Sequence, residues 1–185
     1  MKERFRDKTR DDLANVLNLI GVKAEMADRE RAEEKVENSW YQRSLGVIDI
    51  TEGPIRWINI LKKDPSKDSP PRWWIVMGIP DDSAVSIRKQ IKIKTKRKKS
   101  FPLFGKVIDV AWAGKDGGTG LAKTICDDTS TKTLATRIGN LEIKSQTEIF
   151  QGWTLTVDKQ FSPTRQEWET IETTAGYILS SPRSL

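Results

Sequence analysis

Between Ile87 and Lys98 apolar and cationic positions alternate: Ile87, Ile91, Ile93 and Thr95 share one parity, and Arg88, Lys92, Lys94, Lys96 and Lys98 the other. A period of two sends alternate side chains to opposite faces of a strand. Residues 87–99 therefore read as a strand with an apolar inner face and a cationic outer one. After a turn at Phe101-Pro102-Leu103-Phe104-Gly105, the run Lys106–Trp112 is almost continuously apolar and predicts a more fully covered partner strand.

The flanking segments divide by their period. Leu13, Val16, Leu17 and Ile20 recur at i, i+3, i+4 and i+7, one stripe of a helix over 10–20, with Thr9 and Asp12 as a capping box and Gly21 as its stop. Residues 24–38, rich in Glu, Arg and Ala with a thin apolar line of Val22, Met26, Val36 and Trp40, predict a second helix. From residue 45 the period becomes two. Strands are expected over 46–51, 54–61, 73–77, 121–126, 141–149 and 153–157, in addition to the central pair. Asp127-Asp128-Thr129-Ser130 caps a short helix over 131–138. The last helix, 163–180, starts at Ser162-Pro163 and carries the stripe Trp168, Ile171, Ala175, Ile178 and Leu179.

These elements predict an α+β fold: an N-terminal helical pair, a curved, mostly antiparallel sheet of about eight strands forming a partial barrel, and a C-terminal helix packed over the sheet. The division expected is an N-terminal helical segment, 1–43, and a sheet with its final helix, 44–185, within one compact domain. The N-terminal helices would also offer a surface for a second copy of the chain.

Charge sharpens this picture. Of 32 basic residues, eight lie between Arg88 and Lys99 with no acid among them, leaving 24 basic against 26 acidic residues elsewhere. The net charge of +6 therefore belongs to one segment, which favours a local anionic partner, nucleic acid or an acidic protein. Alternate residues on a strand put successive charges roughly 6–7 Å apart, and Arg88, Lys92, Lys94, Lys96 and Lys98 become the candidate anion-binding row. The competing explanation is an edge strand protected from edge-to-edge pairing by its lysines. Phe101 and Phe104 at the adjoining turn are candidates for stacking on bases.

Candidate chemistry is thinner. Histidine is absent, which removes the usual acid–base residue near neutral pH, Ser-His and Cys-His nucleophile pairs, and imidazole ligation. No catalytic motif, metal set or cofactor signature stands out, so the chain reads as a binding domain rather than an enzyme. Gly114-Lys115-Asp116-Gly117-Gly118-Thr119-Gly120 lacks the P-loop order, because its lysine precedes the glycines; Asp116-Gly117 fits a hairpin turn instead. Asp49 and Asp109 interrupt apolar strands and are expected to face solvent. The single cysteine, Cys126, excludes an internal disulfide and makes a reducing cytoplasmic setting the default; its expected role is that of a buried small hydrophobe. No run of residues approaches a membrane span. Trp57, Trp73, Trp112, Trp153 and Trp168 are read as core, with a second reading in which they line a cavity for a hydrophobic small molecule or lipid between sheet and final helix.

Overall fold

The computed structural model describes residues 7–86, 90–100 and 105–181. The chain runs α1 (Thr9–Leu19), β1 (Ala24–Met26), β2 (Arg43–Ile50), β3 (Trp57–Lys63), β4 (Arg72–Pro80), β5 (Lys92–Lys99) and β6 (Val107–Lys115). It continues through α2 (Leu121–Asp127), α3 (Thr129–Ile138), β7 (Leu141–Gln146), β8 (Gly152–Val157) and α4 (Arg165–Ser180). All eight strands join one antiparallel sheet in the order β1-β2-β3-β4-β8-β7-β5-β6. It is open, not closed into a barrel, with β1 and β6 at its edges.

The inner face is the main core. Ile48, Ile58, Ile75, Ile93 and Leu155, one parity of their strands, pack in a single buried cluster with Leu13 and Leu17 of α1, Ile125 of α2, Leu134 of α3, and Trp168, Ile171, Ala175 and Ile178 of α4. α4 is held at its start by Thr164, whose hydroxyl accepts the Glu167 N–H at 3.2 Å while the Glu167 carboxylate accepts the Thr164 N–H at 2.8 Å. Ser162, the cap expected from the sequence, lies two residues too early. α3 begins as expected at Asp128, which accepts the Thr131 N–H at 2.7 Å.

The N-terminal helical pair is not present among the described residues: one helix, α1, stands there. The expected second helix is replaced by the short strand β1, which pairs with β2 at the sheet edge, and by a single 3-10 turn at Ala32–Lys35. Its apolar line was too thin to bury a helical face. Glu30 and Glu37 instead take positive φ and bend the chain across the outer face of the sheet. There Val36 packs with Val47, Trp57, Leu61 and Val76 in a second, smaller core. The paired-helix surface expected to dock a second copy is therefore missing from the described residues. The capping box expected at Thr9 and Asp12 is also replaced: Asp7 accepts hydrogen bonds from the Thr9 N–H at 3.0 Å and hydroxyl at 2.6 Å.

Residues 121–126, expected as a strand, form α2, which packs on β6. The glycine-rich turn before it thus joins a strand to a helix and closes no hairpin. The sheet still has eight strands because β1 takes the place of the missing one. Among the described residues no helix is long and apolar enough to cross a membrane.

Candidate anion-binding face

The strap formed by residues 27–42 covers only part of the outer face. It crosses β2, β3 and β4, where the Asn59 side chain donates to the Glu33 carbonyl at 3.0 Å. It is pinned at its far end by Glu37, which accepts from Lys144 at 2.7 Å and also from Gln146. Beyond this strap the outer face of β5 and β6 carries Lys92, Lys94, Lys96 and Lys98, all exposed, with Ala111, Ala113 and Lys115 beside them and Asp109 opposite Lys98. Arg88, Phe101 and Phe104 lie outside the described residues.

β5 is an inner strand at Lys92–Lys94 and open on one side from Lys96 onward. It is flanked by β6 on one side and, at Lys92–Lys94, by β7 on the other. Lys92 stands directly opposite Lys144 on β7 and Lys115 on β6, so three lysines occupy one row across three strands. Like charges placed opposite one another destabilise a sheet unless something offsets them. Glu142 offsets Lys92 at 2.9 Å and Glu37 offsets Lys144. Lys94, Lys96, Lys98 and Lys115 have no ion pair among the described residues. The outer face beside Gln90, Lys92, Lys94, Ala113, Gly114 and Lys115 is a shallow depression of about 520 Å³.

A deeper cleft, about 420 Å³, adjoins it. Its origin is a difference in strand length. β7 begins at Leu141 and β8 ends at Val157, partners in register, whereas β5 continues to Lys99 and β4 starts back at Arg72. From Lys96 onward β5 bonds only to β6, and Arg72–Trp74 bond only to β3. The sheet is therefore notched. The register Val76–Thr156–Glu142–Lys94 spans the base of the notch in three strand steps, roughly 14 Å. Trp74 and Tyr41 line one side and Lys94 the other, with Asn140 and Asp158 at the closed end.

Every acid lining the cleft is engaged. Glu37 holds Lys144, Glu142 holds Lys92, and Asp158 accepts the Asn140 backbone N–H at 2.9 Å and its side-chain amide at 2.6 Å. Lys94 is the one cation in this lining and has no ion pair among the described residues. At the rim, Trp40 is 95% exposed and meets Tyr41 edge-on at 5.6 Å; Tyr41 in turn meets Trp74 at 6.5 Å, and the Arg72 guanidinium lies 5.3 Å from the Trp74 ring. Sequence reasoning did not single out Trp40, Tyr41 or Trp74 as site residues. The adjacent pair Trp40-Tyr41 in a polar stretch was the available signal.

The five tryptophans proposed as a cavity are not brought together. Trp112, Trp153 and Trp168 are buried in the inner core. The Trp153 N–H donates to Asp81 at 2.8 Å, whereas the buried indole N–H of Trp112 has no partner among the described residues. Trp73 is half-buried against the same core with Lys62 over its ring. Trp57 lies on the opposite face, edge-on to Phe150 at 5.0 Å.

The two strand aspartates stand far apart in the sheet order, Asp49 on β2 and Asp109 on the edge strand β6. Asp49 accepts two hydrogen bonds from Arg31, at 2.7 and 2.6 Å. Asp109 pairs with Lys132 at 2.8 Å, and that ammonium, with the Val110 N–H, holds its carboxyl below the usual range. Cys126 is half-buried, its sulfur accepting the Trp112 backbone N–H at 3.0 Å.

No protein-family model matches the chain, and no match is found among curated proteins or solved structures.

Proposed function

We propose that this protein is a binding domain for a polyanionic partner, engaged by the outer face of β5 through Lys92, Lys94, Lys96 and Lys98. The observation that carries this reading is the position of the lysines. Lys92 and Lys94 lie where β5 is paired on both sides, so protection of an open edge does not account for them. Within the row Lys144–Lys92–Lys115, Glu37 and Glu142 already balance Lys144 and Lys92, which leaves Lys115, with Lys94 and Lys96, as the charge for a bound anion to meet. The strap that covers the other half of the outer face leaves this half open to a partner. The same observations count against a lipid carrier, since three of the five tryptophans it would use are packed in the core.

The test is binding of heparin, with neutral dextran as control, at several salt concentrations. Binding to heparin alone, weakening as salt rises, is the expected result, because exposed charges are screened. Reversing Lys94 and Lys96 to Glu should abolish it, while reversing Lys23 and Lys123, each exposed and paired elsewhere on the surface, should change it little. Equal weakening by both pairs would reduce the effect to net charge and overturn the assignment to this face.

A further inference from the structure

We infer that the polyanion is a single-stranded nucleic acid, its phosphates along Lys94, Lys96 and Lys98 and its bases turned into the notch between β4 and β5. This rests on the reading of β5 as the anion-binding strand and adds the class of ligand. Three features lead to it. First, the lysine row and an aromatic array face each other across one recess: Lys94 and Lys96 on β5 stand level with Val76 and Trp74 on β4, as the register through β7 and β8 dictates.

Second, the rim carries an aromatic side chain whose exposure the fold does not explain. Trp40 is 95% exposed and is buttressed edge-on by Tyr41, which is itself buttressed by Trp74. A held ring with an open face is what a base stacks on, and stacking tolerates any base because each presents a π-face. An acidic protein would use the lysines but has no matching need for the tryptophan.

Third, the shape selects the form of the nucleic acid. A duplex is read by an element that projects into its groove, whereas here Lys94, Tyr41 and Trp74 line a recess roughly 14 Å across at the backbone. A flexible single strand can follow such a recess and splay its bases into it. Of the acids within the cleft, Glu37 and Glu142 are each paired with a lysine; Asp158, held by the neutral amides of Asn140, keeps its charge but follows β8, two strands away from β5.

The experiment is equilibrium binding of a short labelled polythymidylate strand, compared with a duplex of equal length and with polyglutamate as competitor. Trp40→Ala and Tyr41→Ala are measured beside Trp40→Phe. Trp40 is so exposed that its replacement leaves folding intact, which far-UV circular dichroism checks. The single strand should bind more tightly than the duplex. Trp40→Ala should weaken it about tenfold without changing the salt slope, and Trp40→Phe should retain most of the affinity. Equal binding of duplex and single strand, or no effect of either alanine variant, would overturn the inference while the anion-binding reading stands. Polyglutamate displacing the strand at equal charge concentration would assign the face to an acidic protein instead. Absence of binding to any of these and to heparin would overturn both.

Discussion

The Thr95 hydroxyl accepts the Leu141 backbone N–H at 2.9 Å, at the point where β5 and β7 part. The ladder between these strands ends at Lys94 and Glu142. Thr95 is buried, and its side chain supplies the partner that another rung would have provided. This hydrogen bond sets the inner corner of the notch. Thr95→Val keeps the shape and the β-branching but removes the acceptor, leaving a buried N–H unmatched. A destabilisation of about 1–3 kcal/mol is expected by urea unfolding. No measurable change would mean that the corner is held by something else.

On the outer face a comparable constraint falls on Gly78. A Cβ there would lie 1.9 Å from the Trp57 ring, and the ring is buried between Phe150 and the small outer core. Gly78→Ala forces the indole out of its site and should destabilise the protein by about 1–3 kcal/mol or more. Thermal unfolding checks this, with a change in tryptophan fluorescence as the accompanying signature.

Acid stability should report on the link between the N-terminus and β3. Burial would raise the Asp7 carboxyl, but hydrogen bonds from Lys62 and from the Thr9 hydroxyl and N–H, with the Lys62 charge, outweigh it and hold it at about 2, against an ordinary value of 3.8. A depressed carboxyl stabilises the fold above its unfolded value and loses that contribution as pH falls from 3.8 towards 2. The contribution is on the order of 2 kcal/mol. Asp7→Asn should therefore lower stability at about pH 6 and flatten its decline between about pH 4 and pH 2. Parallel curves for the two proteins would contradict the assignment.

The final helix was legible in the sequence because Trp168, Ile171, Ala175 and Ile178 repeat at helical spacing and all four are buried. Trp168→Ala should accordingly cost about 3–5 kcal/mol. The alternation along β5 was equally readable. β1 was not: a three-residue strand has no period of its own and exists because β2 offers it a partner. In 121–127 Leu121 and Ile125 are one helical turn apart, but seven residues are too few to distinguish that from a strand, and packing on β6 decides. The notch was out of reach for a different reason. It depends on β5 pairing with β7 across an intervening strand and two helices, and on β7 and β8 ending together. Nothing local to Lys94 indicates that Trp74 stands across from it.

Whether the β5 lysines form the contact surface for a polyanion shows in the salt dependence of binding. Lys94, Lys96 and Lys98 are exposed and without an ion pair among the described residues, so replacing all three with Gln should change stability by no more than about 0.5 kcal/mol each. Each lysine that no longer meets a phosphate removes one counterion-release event. A plot of log affinity for polythymidylate against log salt concentration should therefore be shallower in the triple variant by roughly two to three units, with weaker binding at low salt. An unchanged slope and affinity in a folded variant would place the binding surface elsewhere.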